Sequence, residues 1–482
     1  MAEPARGHLE EAQRHHRAGR LAQAETAYRR VLEAEPTQPA ALHGIGMLAL
    51  QTGHPGPAAD LIARAVTEEP DNPDYHLHLA TAQHALGRTE ESEASLRRAL
   101  EIAPDYGPAL FNLGQLLLET ERPDEAKACF ERCIALAPDN ADALNALATT
   151  LIALGERDGA EPLLRKALES APGHPFAARN LANFLFEAGR LEDAETQARA
   201  LVETRPRDAE SLALLARIRD RRGGPEEAVG LFREALARAP GLLEADVGLG
   251  VALINSDAAA EAVAHNRRLA EAHPDHPEIV GNLGLALKAA GAFADALECF
   301  DRALVLDPEL ADKRYMRGLT RMAMGDIREG LADYEYRWRR TDGDGATRRD
   351  FPQASWDGSG LAGERVLVWA EQGVGDHILF SGLLGLAQAR GASPTMECDP
   401  RLVSLFARSL DGVRVVARGD PPDPALLSGD IAYQVSMGGL MAALAPWPEG
   451  FRPPRRFLEP DSVAREEWTR RLDDIARDRA RI

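Results

Sequence analysis

Residues 180–194 read Asn180-Leu-Ala-Asn-Phe-Leu-Phe-Glu-Ala-Gly189-Arg190-Leu-Glu-Asp-Ala194, and Pro206 stands twelve positions further on. The order of small residue, glycine, alanine and proline in this stretch returns every 34 residues. Proline stands at 36, 70, 104, 138, 172, 206, 240, 274 and 308. Glycine stands at 19, 53, 87, 155, 189, 223, 291 and 325, with Glu121 and Asp257 filling the two gaps. One small-residue register runs Ala12, Gly46, Ala80, Gly114, Ala148, Ala182, Ala216, Gly250, Gly284 and Gly318. A second runs from Ala24 through Ala160 and Ala194 to Gly330. A fixed period of this length marks a stack of identical supersecondary units.

Each register has a physical cause. The glycine ends a first helix where the chain must turn left-handed. The proline stops the second helix, because it has no N–H to continue it. The small residues sit where the paired helices cross, and a larger side chain there would overpack at a cost of about 1–3 kcal/mol. Tyr28, Ile62, Leu96, Phe130, Leu164, Phe232, Phe300 and Tyr334 recur four positions past the alanine register and fill the space between neighbouring pairs. Ala198 and Asn266 interrupt that series, so the sixth and eighth units should pack more loosely.

This pattern resembles the tetratricopeptide (TPR) repeat over residues 5–344. The resemblance implies an all-α solenoid of ten helix pairs, wound as a right-handed superhelix with a concave groove that binds a protein or peptide. Asn112, Asn180 and Asn282 share one register of the first helix. In arrays similar to those of nucleocytoplasmic O-GlcNAc transferases, asparagine here lines the groove, where an amide can both donate to and accept from a peptide backbone. His78, Ala146 and Leu214 occupy the same register in other units, so the ladder is interrupted.

Composition bounds the rest. The chain has 482 residues, 45% hydrophobic but only 5% aromatic, and a net charge of −20. Such a field repels phosphate backbones and anionic lipid, so nucleic acid and membrane surfaces are disfavoured partners. The four cysteines, 129, 133, 299 and 398, form no CxxC pair and point to a reducing compartment. The first ten residues carry no apolar signal core, and no apolar run reaches membrane-spanning length. A soluble, cytoplasmic protein is expected. His76 and His78 fall on different faces of a helix, and His273 and His276 lie in a repeat turn, so no metal site is expected.

Beyond Arg340 the period stops. Residues 345–360 read as a linker and 361–482 as a second domain. Tyr334-Glu335-Tyr336-Arg337-Trp338 gathers three aromatics at the end of the array, which should dock it onto that second domain. Strands are expected at Arg365–Ala370, Pro394–Cys398, Val413–Ala417 and Asp430–Val435. Helices are expected at His377–Arg390, Arg401–Ser409, Met437–Ala445 and Asp461–Arg479. The alternation predicts a small α/β, Rossmann-like domain with a parallel sheet and helices on its faces. The loop Gln372-Gly373-Val374-Gly375-Asp376, after the first of these strands and before His377, is the ligand-loop candidate.

Trp356-Asp-Gly, Leu361-Ala-Gly and Val366-Leu-Val-Trp-Ala-Glu-Gln-Gly-Val-Gly-Asp376 resemble the opening of the glycosyltransferase domain of bacterial TPR-fused proteins. Those domains are similar to ADP-heptose:lipopolysaccharide heptosyltransferases of the GT-B fold. The resemblance implies an inverting, metal-independent transferase in which Asp376 is the general base. It also implies that residues 361–482 are the N-terminal half of such a domain, with the nucleotide-sugar donor bound by the other half. No cofactor is implied for this chain alone, which by that reading is inactive by itself. His377 and Ser381-Gly382-Leu383 depart from the family pattern. As an alternative, Asp376 serves only as a helix N-cap. Two functions are open: an arm recruiting a protein or glycan acceptor for sugar transfer, or a non-catalytic scaffold with a vestigial half-domain.

Overall fold

A computed structural model describes residues 3–340, 348–371, 373–445 and 457–479. The chain divides into two compact units, residues 1–245 and 246–482. The boundary falls inside the helical array rather than at its end, so the last helices and the sheet belong to one unit.

Among the described residues the array comprises twenty α-helices, α1 (Glu3–Arg17) to α20 (Ile327–Tyr334), taken in pairs. Glycines 19, 53, 87, 155, 189, 223, 291 and 325 all have φ between +70° and +92°. Glu121 and Asp257 hold the same turn with φ of +57°. The left-handed residue is therefore demanded by the repeat, whatever the side chain. Each of those two residues carries strain that glycine would not.

The helix crossings behave as the spacing requires. A Cβ on Gly46 would lie 2.5 Å from Ile62, on Gly114 2.7 Å from Phe130, and on Gly284 2.8 Å from Phe300. Ile62, Phe130, Leu164 and Phe300 have no exposed surface. Tyr28 reaches into the next pair, where its ring would meet a Cβ on Gly44 at 2.4 Å. The eighth pair departs from the looser packing its sequence suggests. Asn266 is fully buried against Gly250, with Nδ2 donating to Gly250 O at 3.2 Å and Ala262 O at 2.9 Å. A polar residue has filled the large-residue slot tightly, with the carbonyls of both helices satisfying its Nδ2 while its Oδ1 is buried without a hydrogen-bond partner. Ala198 is also fully buried.

The sheet has five parallel strands: β1 (Ala354–Ser355), β2 (Arg365–Trp369), β3 (Ser393–Cys398), β4 (Arg414–Ala417) and β5 (Ile431–Ser436). Their order is β1-β5-β2-β3-β4. Alternation splits β2 between two cores. Val366 and Val368 face a cluster built with Phe380, Leu384, Phe406 and Leu440. These come from α21 (Val374–Ser381), α22 (Leu384–Ala389), α23 (Val403–Ser409) and α24 (Met437–Ala443). Leu367 and Trp369 face the other way, onto Phe351, Leu426 and partly buried Trp338. That second face is covered by a strap, by the short 3-10 helix Pro424–Leu426 and by the end of the array, not by the described α-helices of the domain.

The strap corrects the reading of 345–360 as a linker. Residues 341–347 lie outside the described part. From Arg349 onward the chain is built into the domain. Arg349 bonds the fully buried Glu397 and donates to Gly419 O at 2.7 Å. Phe351 and Trp356 are buried, and Ala354–Ser355 adds β1 to β5. The Gly and Asp content of the stretch hid a strand of two residues. The helix expected at 377–390 is broken at Gly382 into α21 and α22 and starts earlier, at Val374. The final helix α25 (Ser462–Arg479) leaves Val463, Trp468, Leu472 and Ile475 exposed.

Replacing Glu121 by glycine should stabilise the first unit by about 1 kcal/mol by relieving a left-handed residue. Circular dichroism melts of Glu121→Gly and Glu121→Ala check this: the first should rise above wild type and the second should not.

Candidate functional site

The first helices of successive repeats touch through side chains 35 residues apart. Asn180 Nδ2 donates to Asn145 Oδ1 at 2.8 Å. His84 Nε2 lies 2.6 Å from Glu119 Oε2, and His43 Nε2 lies 2.9 Å from His78 Nδ1. This spacing joins a register to the neighbouring one in the next repeat, so a ladder sought at 34-residue intervals misses half of each rung. Asn145 and His43 escape such a search for that reason.

The three asparagines are not brought together as one ladder. Asn112, on α7 (Gly107–Glu119), lines a concavity of about 270 Å³ with Leu96, Leu116 and the His84–Glu119 pair. Asn180, on α11 (Pro175–Glu187), is tied to Asn145, and buried Ala146 occupies the register position between Asn112 and Asn180. Asn282, on α17 (Pro277–Ala289), belongs to the second unit and is only 5% exposed, so it lines no open surface.

His43 stacks on Tyr75 at 4.7 Å between ring centroids. Burial, then the neighbouring His78, push the His43 pKa down to about 4. Burial also lowers that of His78.

In the second unit, the candidate loop comes after β2. Gln372 lies outside the described residues. Gly373 caps α21 with φ −73°, a conformation open to any residue. A Cβ at Gly373 or Gly375 would meet nothing within 4 Å, so neither packing nor backbone strain requires these glycines. Asp376 is not the N-cap: it sits three residues past it, in the first turn, partly exposed. His377 corrects its assignment to the ligand loop. One residue further round the helix it faces inward, 2% exposed, and its Nδ1 accepts from the Asp399 N–H at 3.1 Å. It ties α21 to the end of β3.

The loop is anchored from the array. Arg337 lies just past α20 in a 3-10 turn, Glu335–Arg339, and is 1% exposed. Its Nε donates to Glu371 Oε2 at 2.8 Å and its Nη2 to Glu371 Oε1 and Ser436 Oγ, both at 3.2 Å. The guanidinium lies between the rings of Tyr334 and Trp338, 4.3 and 4.4 Å from their centroids. Burial works against its charge, yet Glu371 and Glu335 outweigh that and hold its pKa above the ordinary value. Glu371 is the residue immediately before the loop and also accepts from the Gly438 N–H on α24. The aromatic run therefore docks as expected through Tyr334 and Trp338, the latter 5.6 Å from Trp369. Tyr336 stays on the array, under Arg314 at 4.2 Å. Arg337 and Glu371 carry no sequence signal distinguishing them from surface charges.

Among the described residues no group of three or more His, Cys, Asp or Glu is placed to hold a metal ion. No described helix is long and apolar enough to cross a membrane.

Sequence models of the tetratricopeptide repeat match residues 15–82, 73–139, 111–175, 151–218, 222–283 and 277–310. The array is a tetratricopeptide-repeat array. It is thus a protein-interaction scaffold in architecture. Protein FlbA of Caulobacter vibrioides is 25% identical over 309 residues, covering 54% of this chain, and the chain spans about half (52%) of that relative. Among solved structures, a tetratricopeptide repeat protein from Parabacteroides merdae aligns at 18% identity and TM-score 0.43, over 52% of this chain and 100% of that one. YrrB, described as a TPR protein with an unusual peptide-binding site, aligns at 23% identity and TM-score 0.33, over 39% of this chain and 96% of its own.

Removing Arg337 would leave the Glu371 carboxylate buried without its cation. Arg337→Leu should cost about 3–5 kcal/mol, and Glu371→Leu in the same chain should recover most of it. All five tryptophans lie between 338 and 468, so denaturant unfolding monitored by tryptophan fluorescence reads this unit.

The depressed histidines make the first unit acid-sensitive. Below the ordinary pKa of 6.5 the unfolded chain gains protons that folded His43 does not take up until about pH 4. Stability is full above 6.5 and is lost as pH falls toward 4. Circular dichroism melts from about pH 7.5 to 4.5 should show a smaller fall in His43→Gln than in wild type.

Proposed function

We propose that this chain is a peptide- or protein-binding TPR arm that presents its bound partner as the acceptor to a glycosyltransferase-like module, with Asp376 as the general base. The observation that carries the reading is the Arg337–Glu371 ion pair. It fastens the end of the array to the residue preceding the Gly373–Asp376 loop, so the array's last helices have a fixed relation to that loop. The open glycines and the dipole at the start of α21 support it. In the proposed step Asp376 takes the proton of an acceptor hydroxyl as its oxygen bonds the anomeric carbon. The anomeric carbon's bond to the diphosphate breaks and the nucleoside diphosphate leaves with the electron pair. The binding surface of the arm centres on the concavity at Asn112 and on the Asn145–Asn180 rung.

The test has two stages with the full chain. A displayed library of random dodecapeptides is selected on it, and chosen peptides are measured by calorimetry. Asn112→Ala should weaken them about tenfold, a loss of ~1.4 kcal/mol. Release of nucleoside diphosphate from ADP-, GDP- and UDP-sugars is then measured with the chain supplemented by a separately supplied donor-binding half of a GT-B glycosyltransferase, and with the peptide, or a glycan, as acceptor. Asp376→Asn should reduce turnover at least ~100-fold. No release from any donor by wild type, with peptide binding retained, would leave the non-catalytic scaffold as the function.

A further inference from the structure

Pairing of first helices across 35 positions sets two imidazoles face to face. His43, on α3 (Pro39–Gln51), and His78, on α5 (Pro73–Ala85), point Nε2 and Nδ1 at each other across 2.9 Å. His76 and His78 fall on different faces of one helix, so the partner of His78 comes from the neighbouring repeat instead. Both paired rings are partly exposed. We propose that His43 and His78 bind one soft monovalent metal ion, copper(I), between their two facing nitrogens. The site lies in the array and rests on neither the transfer reading nor the peptide reading.

The donor set decides the metal. A neutral imidazole binds a metal through a nitrogen lone pair, and here two such nitrogens aim at one point. Two metal–nitrogen bonds of about 2 Å each put the nitrogens about 4 Å apart, so from 2.9 Å the rings separate by about 1 Å. The ring that donates in the present contact moves its proton to its other nitrogen. Both facing nitrogens then carry lone pairs, and no proton is lost. The contact given up is a hydrogen bond between neutral groups, which contributes little net. Zinc(II) takes four ligands in closed sites, and among the described residues no group of three or more His, Cys, Asp or Glu is placed to hold a metal. Copper(I), with its filled d shell, accepts two nitrogens in line, and thioether sulfur selects for it. A thioether stands in the adjoining register. Thr81 and Asn112 border one concavity, and the same two registers one repeat earlier hold Met47 and His78. Met47 is partly exposed and lies one turn on from His43, along the same face of α3. The Asp74 carboxylate, which accepts from Tyr106, acts on both rings and would offset the charge of the ion. Burial holds both imidazoles below their ordinary pKa, so protons compete little for the lone pairs near pH 7. The bound ion would cross-link the first helices of the second and third repeats.

The full chain, kept oxygen-free with ascorbate, is titrated with copper(I) against the chromophoric chelator bicinchoninate. Wild type should withdraw one equivalent from the chelator, and its melting temperature should rise on loading. His43→Gln and His78→Gln should each lower the affinity at least ~100-fold, and Met47→Leu about tenfold. Joint Cys129→Ser and Cys133→Ser substitution removes the competing thiols of α8 (Pro123–Leu136) and should leave the affinity unchanged. Circular dichroism melts of the metal-free variants check that each is folded. Silver(I), added to wild type and followed in proton–nitrogen correlation spectra of the histidines, reads the same contact without any substitution. His43 Nε2 and His78 Nδ1 should shift together and saturate at one equivalent. No copper withdrawn by wild type overturns the proposal. So does affinity that both histidine variants retain, binding lost with the two cysteines, silver that leaves these two nitrogens unmoved, or zinc(II) that displaces the copper.

Discussion

A guanidinium taken out of water must find its compensation inside the protein, and Arg337 finds all of it at one junction. Glu371 supplies the opposite charge, Ser436 and the Tyr334 carbonyl accept further hydrogen bonds, and two aromatic rings sandwich the plane. Such a group cannot be displaced by small amounts, because any gap exposes a charge in a medium that does not screen it. The second unit is organised around that requirement. The array's last turn, the end of β2, the end of β5 and the start of α24 all contribute to it. The loop before α21 inherits its position from it.

The array rests on a different constraint, repeated rather than single. At each crossing one helix must present a residue with little or no side chain, so that a large residue from its partner can enter. Gly46, Gly114 and Gly284 do this for Ile62, Phe130 and Phe300. Stability in such a stack is nearly a sum over neighbours. Local exceptions are thereby tolerated: Asn266 fills its slot by hydrogen bonding to the helices around it. Glu121 and Asp257 adopt the left-handed turn without glycine. The repeat enforces backbone geometry that single residues would resist.

The proposed function divides between these two constructions. The array offers faces where first helices meet, joined by pairs such as Asn145–Asn180 and His43–His78. The sheet unit offers an open helix start carrying Asp376. His377, by contrast, spends its ring on the chain after β3, and Asn282 is buried.

Sequence alone determined the helix pairs, their number, the turn at every glycine and the place of four of the five strands. These come from periods of 34, 3.6 and 2, which are set by covalent geometry and by water's rejection of apolar surface. Tertiary structure decided the rest. It made Phe351 and Ala354–Ser355 part of the sheet domain, buried Asn282 and His377, and paired Arg337 with Glu371 across 34 positions with no repeat between them. A charged residue reads the same on a surface as in a junction. Which of the two it occupies depends on what folds against it, and no local pattern carries that information.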